Sequence, residues 1–353
     1  MDYKKLIQNL IGAVLKENGS DIHLSKGKHP VIRVNGDLHS LESMPVLSSE
    51  DLMEIIGHIL TPENKKEFLL NKEIDFSYDV TEARFRGSCF FAQKSIGVSL
   101  RLIPKKVGTL KDLNLPSVLE SFTQKQQGFF LVVGPMGHGK STTLTAMLEI
   151  INQTRAEHIV TIENPVEYIF QKGKSMIDQR EVKIDTKDFP TALKSVFRQD
   201  ADILMIGEMR GLDTISTSVT AAETGHLVFS TLHTNNAAQT IDRIIDVFPS
   251  EQQTQIKIQL AASLLGIFSQ RLIPRISGGM IPAYELLINN NATANLIREG
   301  RTFEILNVIE TSSGEGMVSL NKSLENLVQM GEITLDNARK YSFRIDELDG
   351  KFS

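Results

Sequence analysis

Phe129-Phe130-Leu131-Val132-Val133-Gly134-Pro135-Met136-Gly137-His138-Gly139-Lys140-Ser141 is an apolar run of strand length that passes into the spacing G-x-x-x-x-G-K-[ST]. The residues that follow, Thr142-Thr143-Leu144-Thr145-Ala146-Met147-Leu148, predict a helix with Leu144, Met147 and Leu148 on one face. A glycine-rich turn from strand to helix lets backbone N–H groups wrap phosphate oxygens, and the helix N-terminus adds its partial positive charge. In such a turn Lys140 reaches the β- and γ-phosphates and the Ser141 hydroxyl ligates Mg²⁺. Gly134, Pro135, Met136, Gly137, His138, Gly139 and Thr142 complete the expected contacts to a nucleotide. The side chains of Met136 and His138 stand at variable positions, where only the backbone is used, and carry no expected chemistry.

The 353 residues suggest two domains of ordinary size, and 41% hydrophobic residues suffice for a core in each. The only cysteine, Cys89, excludes an intrachain disulfide and a cysteine-rich zinc site, which fits a reducing compartment. A net charge of −5 argues against a dedicated nucleic-acid binder. No apolar stretch approaches the roughly 18 residues of a membrane span, and Met1-Asp2-Tyr3-Lys4-Lys5 lacks a following signal-peptide core. The expected location is cytoplasmic, with any membrane contact made through a partner.

Leu6, Leu10 and Val14 recur at helical spacing. Ile22 and Leu24 alternate with polar residues, and Val31, Ile32 and Val34 run into the hairpin dipeptide Asn35-Gly36. Residues 48–60 predict a second helix that stops at Thr61-Pro62, and 74–78, 83–91 and 97–103 predict strands. Residues 1–103 are therefore expected to form a small α+β domain, 104–112 a linker, and 113–353 a second domain. In that second domain 129–133, 158–162, 203–206 and 227–231 are apolar runs separated by helix-sized segments, the pattern of a parallel sheet covered by helices. Residues 321–339 predict one helix, with Leu324, Leu327, Val328 and Leu335 as its apolar face.

Hydrolysis needs a metal-ordering acid and a group that orients the attacking water. Ile203-Leu204-Met205-Ile206-Gly207-Glu208 is an apolar strand ending in a carboxylate, the form of a Walker B element, so Glu208 is the candidate second metal group beside Ser141. Glu163 ends the 158–162 strand, on the rim where ligands collect in open α/β sheets, and is the candidate general base. Glu167 is left between turn building and a metal shell. His226 and His233 lie at opposite ends of the 227–231 strand; the carboxyl end faces phosphates, which favours His233 as γ-phosphate sensor and His226 for packing.

Together these elements are similar to the secretion ATPase superfamily of type II secretion and type IV pili. GPMGHGKSTT resembles its Walker A, TIENPVEY its aspartate box, RQDADILMIGEMR its Walker B region and AAETGHLVFSTLHTNNAAQTIDRIIDVFP its histidine box. SDIHLSKGKHPVIRVNGDL resembles the family's PAS-like first domain. Within the superfamily the chain most resembles the PilT-type retraction ATPases, because ATANLIREG is similar to their AIRNLIRE signature and no tetracysteine loop is present. Ala294 stands where that signature has arginine, and Asn164 where the aspartate box has aspartate.

The resemblance implies an α/β fold: a RecA-like P-loop ATPase core with a smaller N-terminal PAS-like α+β domain. It implies an Mg²⁺-dependent ATPase acting as a homohexamer, with an inner-membrane pilus platform protein as partner and no direct nucleic-acid contact. Arginines of the first domain, with Arg86 and Arg101 the positional candidates, would reach phosphates across a subunit boundary. Arg198 and Arg210 flank the Walker B strand and are left between structural and intersubunit roles. Pilus assembly or type II secretion is the nearest alternative activity; a nucleic-acid translocase or a non-catalytic ATP-binding ring component are alternatives of another class.

Overall fold

The computed structural model describes residues 2–352 except 35, 82 and 104–106. Asn35 of the expected Asn-Gly turn and residues 104–106 of the expected linker lie outside the described residues. The chain divides into two compact units, Met1–Lys106 with Pro165–Ile169, and Val107–Asn164 with Phe170–Ser353.

In the first unit, helix α1 (Tyr3–Lys16) buries Leu6, Leu10 and Val14, the residues whose spacing predicts it. Strands β1 (Asp21–Ser25), β2 (Val31–Val34) and β3 (Asp37–Ser40) follow. Helix α2 (Ser49–Ile59) starts at a capping box in which Ser48 and Asp51 satisfy each other's backbone amides. Pro62, read from sequence as a stop, instead opens α3 (Pro62–Asn71), with the Thr61 hydroxyl capping it. Proline at the first helical position loses no hydrogen bond, so it punctuates two helices instead of ending one.

Strands β4 (Glu73–Asp79), β5 (Arg84–Ala92) and β6 (Ser95–Ile103) complete a sheet of order β3-β2-β1-β6-β5-β4 in which every pairing is antiparallel. This is the α+β unit that the sequence predicts. Cys89 sits in its core, where burial pushes the thiol up to about 12, so it packs as a small hydrophobe.

The second unit opens with α4 (Leu119–Thr123), β7 (Gly128–Val133), α5 (Lys140–Thr154), β8 (His158–Glu163) and β9 (Met176–Glu181). It continues through α6 (Phe189–Val196), β10 (Ile203–Ile206), α7 (Leu212–Glu223), β11 (Leu227–Leu232), α8 (Ala237–Asp246) and α9 (Ser250–Ser263). Strands β12 (Leu264–Pro274) and β13 (Met280–Ile288) precede α10 (Asn291–Glu299), α11 (Ile305–Thr311), α12 (Leu320–Gln329), α13 (Leu335–Tyr341) and α14 (Ile345–Asp349).

β7 shows why its sequence is apolar without alternation. Phe129, Leu131 and Val133 enter one hydrophobic cluster, Phe130 and Val132 another, so both faces of the strand are covered. The sheet order is β13-β12-β7-β11-β10-β8-β9. Five of its pairings are parallel, but β13 runs antiparallel to β12, so the sheet is mixed where the sequence pattern predicts a parallel one. The single helix expected over 321–339 is two, α12 and α13, separated at Gly331, which takes φ +71°. Among the described residues no helix is long and apolar enough to cross a membrane.

Candidate active site

The chain leaves β7 through α5 and enters β8 three positions away in the sheet, then returns through β10 to β11 beside β7. The parallel register sets Val133 beside Leu232, Ser230 beside Ile206 and Ile206 beside Ile162. The residues that follow each strand therefore share one carboxyl rim. In order across the sheet these are the phosphate loop, His233, Glu208 and Glu163, the arrangement in which open α/β sheets bind ligands.

The loop itself is forced by two glycines. Gly134 takes φ +141°, and a Cβ there would lie 2.3 Å from the carbonyl oxygen of Gln270. Gly139 takes φ +79° and would meet Gln270 Nε2 at 2.9 Å. The backbone must press against β12, and only glycine permits it. Met136 is 82% exposed at the loop tip, which suits a backbone-only position. Gly139 is the N-cap of α5 and no side chain caps that helix, so the first-turn amides keep their anion-binding capacity. These features fit a polyphosphate. The oxygen-only pair of the exposed Ser141 hydroxyl and the Glu208 carboxylate fits a hard divalent cation such as Mg²⁺.

Lys140 is buried, and its Nζ donates to the carbonyl oxygens of Gly134 and Pro135, each at 2.9 Å. It also lies 3.3 Å from His233 Nδ1. An ammonium cannot accept a hydrogen bond, so Nδ1 is the acceptor and the proton of a neutral imidazole sits on Nε2. That nitrogen faces Glu208 Oε2 at 3.5 Å, and Glu208 Oε1 pairs with Arg210 Nη2 at 2.8 Å. Burial, and after it the Lys140 charge, hold the His233 imidazole below the usual histidine range. His233 thus lies between the loop lysine and the Glu208 carboxylate.

Glu163 is buried, and its Oε1 accepts from Thr161 Oγ1 at 2.7 Å and from Gln179 Nε2 at 3.2 Å. Thr231 Oγ1 donates to Gly207 O at 2.6 Å, tying the Walker B turn to β11. His226 lies at the opposite end of β11, where its Nδ1 meets Ala221 O at 3.1 Å and its ring packs edge-on to Phe197. It is a packing histidine. Arg198 is exposed and donates to Lys194 O.

Arg86 and Arg101 belong to the first unit, as does the segment that carries Glu167. They are direct cross-strand partners of the β5–β6 ladder and both are exposed. Arg101 pairs with Asp21 at 2.9 Å, and Arg86 is 3.9 Å from Glu167. Two like charges directly opposite are unfavourable in a sheet, and here the Asp21 and Glu167 carboxylates lie beside them. Ala294, at the departure from the family signature, is 6% exposed in the core beneath α10.

Three site residues escape sequence reading. Gln179 lies on the edge strand β9, which shows no apolar run. Gln270 donates to His138 O at 2.9 Å and accepts from Thr143 Oγ1 at 2.6 Å. His138, assigned no side-chain chemistry, accepts the Leu272 amide at Nδ1 (2.9 Å), and burial with the nearby Arg271 and Lys140 charges keeps its imidazole below the usual range.

Glu285, on β13, accepts the Ala237 amide at 2.8 Å where α8 begins, and burial pushes its carboxyl from 4.5 up to about 7. The unfolded chain releases this proton first, so stability falls as pH rises through that window. Glu285→Gln keeps an acceptor for Ala237 and removes the titration. Thermal melts should show the variant gaining on wild type from about pH 5 to about pH 8, by roughly 2–3 kcal/mol. Parallel melting curves across that range would contradict the assignment.

A phosphate-binding loop at the carboxyl end of the interior strand β7, with an acid at the end of each of two further parallel strands, defines a P-loop nucleotide hydrolase. The chain matches the type II/IV secretion system protein family over residues 2–330, and it belongs to that family. It is 43% identical to the type IV pilus retraction ATPase PilT of Pseudomonas aeruginosa, over 95% of this chain and 97% of that protein. It is 41% identical to a twitching motility protein of Neisseria gonorrhoeae, over 88% of this chain and 83% of that one. A crystal structure of the pilus retraction motor PilT with bound ADP superposes with a TM-score of 0.91 at 41% identity, covering 96% of this chain and 98% of that one. The chain is a nucleotide-using ATPase of this superfamily, with the α/β core and N-terminal unit of its retraction branch.

Proposed function

We propose that this protein is the ATP-hydrolysing motor of type IV pilus retraction, working as a homohexamer in the cytoplasm against an inner-membrane platform protein. The observation that carries the reading is the likeness to the Pseudomonas retraction ATPase, which runs through nearly the full length of both chains. Both units are thus shared, not the nucleotide core alone.

In this reading the loop residues 134–142 hold the ATP phosphates, with Lys140 neutralising charge on the β- and γ-oxygens. Ser141 and Glu208 would hold Mg²⁺, which would supply charge compensation at the phosphates. Glu163 takes the proton of the attacking water, and its bonds from Thr161 and Gln179 fix the direction of the carboxylate. His233 senses the γ-phosphate because it sits between Lys140 and Glu208. Arg86 and Arg101 serve the phosphates of a neighbouring copy, which their exposed cross-strand pairing supports. Domain movement tied to this cycle would extract pilin from the pilus base.

The test is deletion of the gene in its own organism, with surface pili counted and twitching scored. Retraction predicts more pili and lost motility. Fewer pili would place the protein in assembly instead.

A further inference from the structure

Successive side chains of a strand project to opposite faces, and β12 uses this alternation to touch both halves of the site. On one face, Gln270 donates through Nε2 to His138 O and accepts through Oε1 from Thr143 Oγ1 of α5. Its own backbone carbonyl is what excludes a side chain at Gly134. On the other face, Ser269 Oγ donates to Asn235 O at 2.9 Å and Arg271 Nη2 donates to Asn235 Oδ1 at 2.9 Å. Asn235 is two residues beyond His233. Arg271 is 7% exposed, and its guanidinium lies 4.9 Å from the ring centre of Phe343, which holds it toward Asn235.

We infer that β12 is a common brace that sets the phosphate loop and the His233 loop in register, with Gln270 the positioning residue for the first and Arg271 for the second. The inference rests on the reading of residues 134–141 and His233 as the hydrolytic site. The Gln270 amide donates to His138 and accepts from Thr143 at once, which neither leucine nor an ionised carboxylate can do. The planar Arg271 guanidinium lies over the Phe343 ring and directs an N–H to Asn235 at the same time. The two roles separate kinetically. Gln270 supports a cradle used by bound ATP and by the transition state alike, so its loss weakens binding. Arg271 supports, through Asn235, a histidine whose contact matters as the γ-phosphate departs, so its loss slows turnover.

The experiment measures steady-state ATP hydrolysis and equilibrium binding of a fluorescent ADP analogue on the full chain, with thermal melts alongside. Gln270→Leu and the isosteric Gln270→Glu should raise KM for ATP and Kd for the analogue about ten-fold with kcat nearly kept. Arg271→Gln should lower kcat about ten-fold with analogue binding kept, and Arg271→Lys should restore only part of the rate. Wild-type constants in both Gln270 variants would overturn the brace. So would kcat and binding falling together in all variants in proportion to lost melting temperature, the mark of a merely structural strand. Lys140→Ala is measured in parallel: if it still turns over ATP, the site reading itself fails, and the brace with it.

Discussion

Lys140→Ala abolishes ATP turnover, with kcat lowered by roughly 10²–10³-fold or more. The argument starts from where the ammonium is. Lys140 is 7% exposed, held by the carbonyls of Gly134 and Pro135, and in contact with His233. A buried charge fixed by the loop it serves needs little reorganisation to meet developing charge on a transferring phosphoryl group. Alanine removes that charge and leaves two loop carbonyls without their donor. The same change removes a cation beside His233, so its imidazole becomes easier to protonate. A phosphate-release assay on the purified variant checks this; turnover within a few-fold of wild type would refute the site.

Glu163→Gln should cut hydrolysis by about 10²–10⁴-fold while leaving nucleotide binding intact. Thr161 and Gln179 both donate to Oε1, and the carbonyl oxygen of a glutamine accepts both bonds in the same place. Both bonds to that oxygen are therefore kept while the basicity is lost. Single-turnover hydrolysis with parallel binding of a fluorescent ADP analogue separates the two quantities. A wild-type hydrolytic rate would remove Glu163 from the chemistry. A joint loss of binding and hydrolysis would assign it to the structure of the rim.

How much of this was legible before folding depends on whether the signal is local. β7 could be read because both of its faces are apolar and a glycine turn follows at once. Glu208, Glu163 and His233 could be read because each closes an apolar run, and parallel strands bring such ends to one rim. β12 could not. Its middle, Ser269-Gln270-Arg271, looks like a polar loop, yet all three residues are buried. Their hydrogen-bond partners lie more than thirty residues away in sequence, as with Arg271 and Asn235 at a separation of 36 and Gln270 and His138 at 132. Burial of polar groups satisfied at such range leaves no periodic trace. Gln179 is hidden for a related reason, since β9 is an edge strand of mixed polarity. The misread Pro62 and the split near Gly331 are local signals with two meanings, and packing decides between them.

The central claim is that hydrolysis at this rim drives removal of pilin. Its most direct test is complementation of a deletion strain with either the wild-type gene or the Glu163→Gln variant, expressed to equal level, followed by counting pili and measuring twitching. The account predicts that wild type restores motility and normal piliation, whereas the variant leaves cells hyperpiliated and immotile. Restored twitching with Glu163→Gln would contradict it.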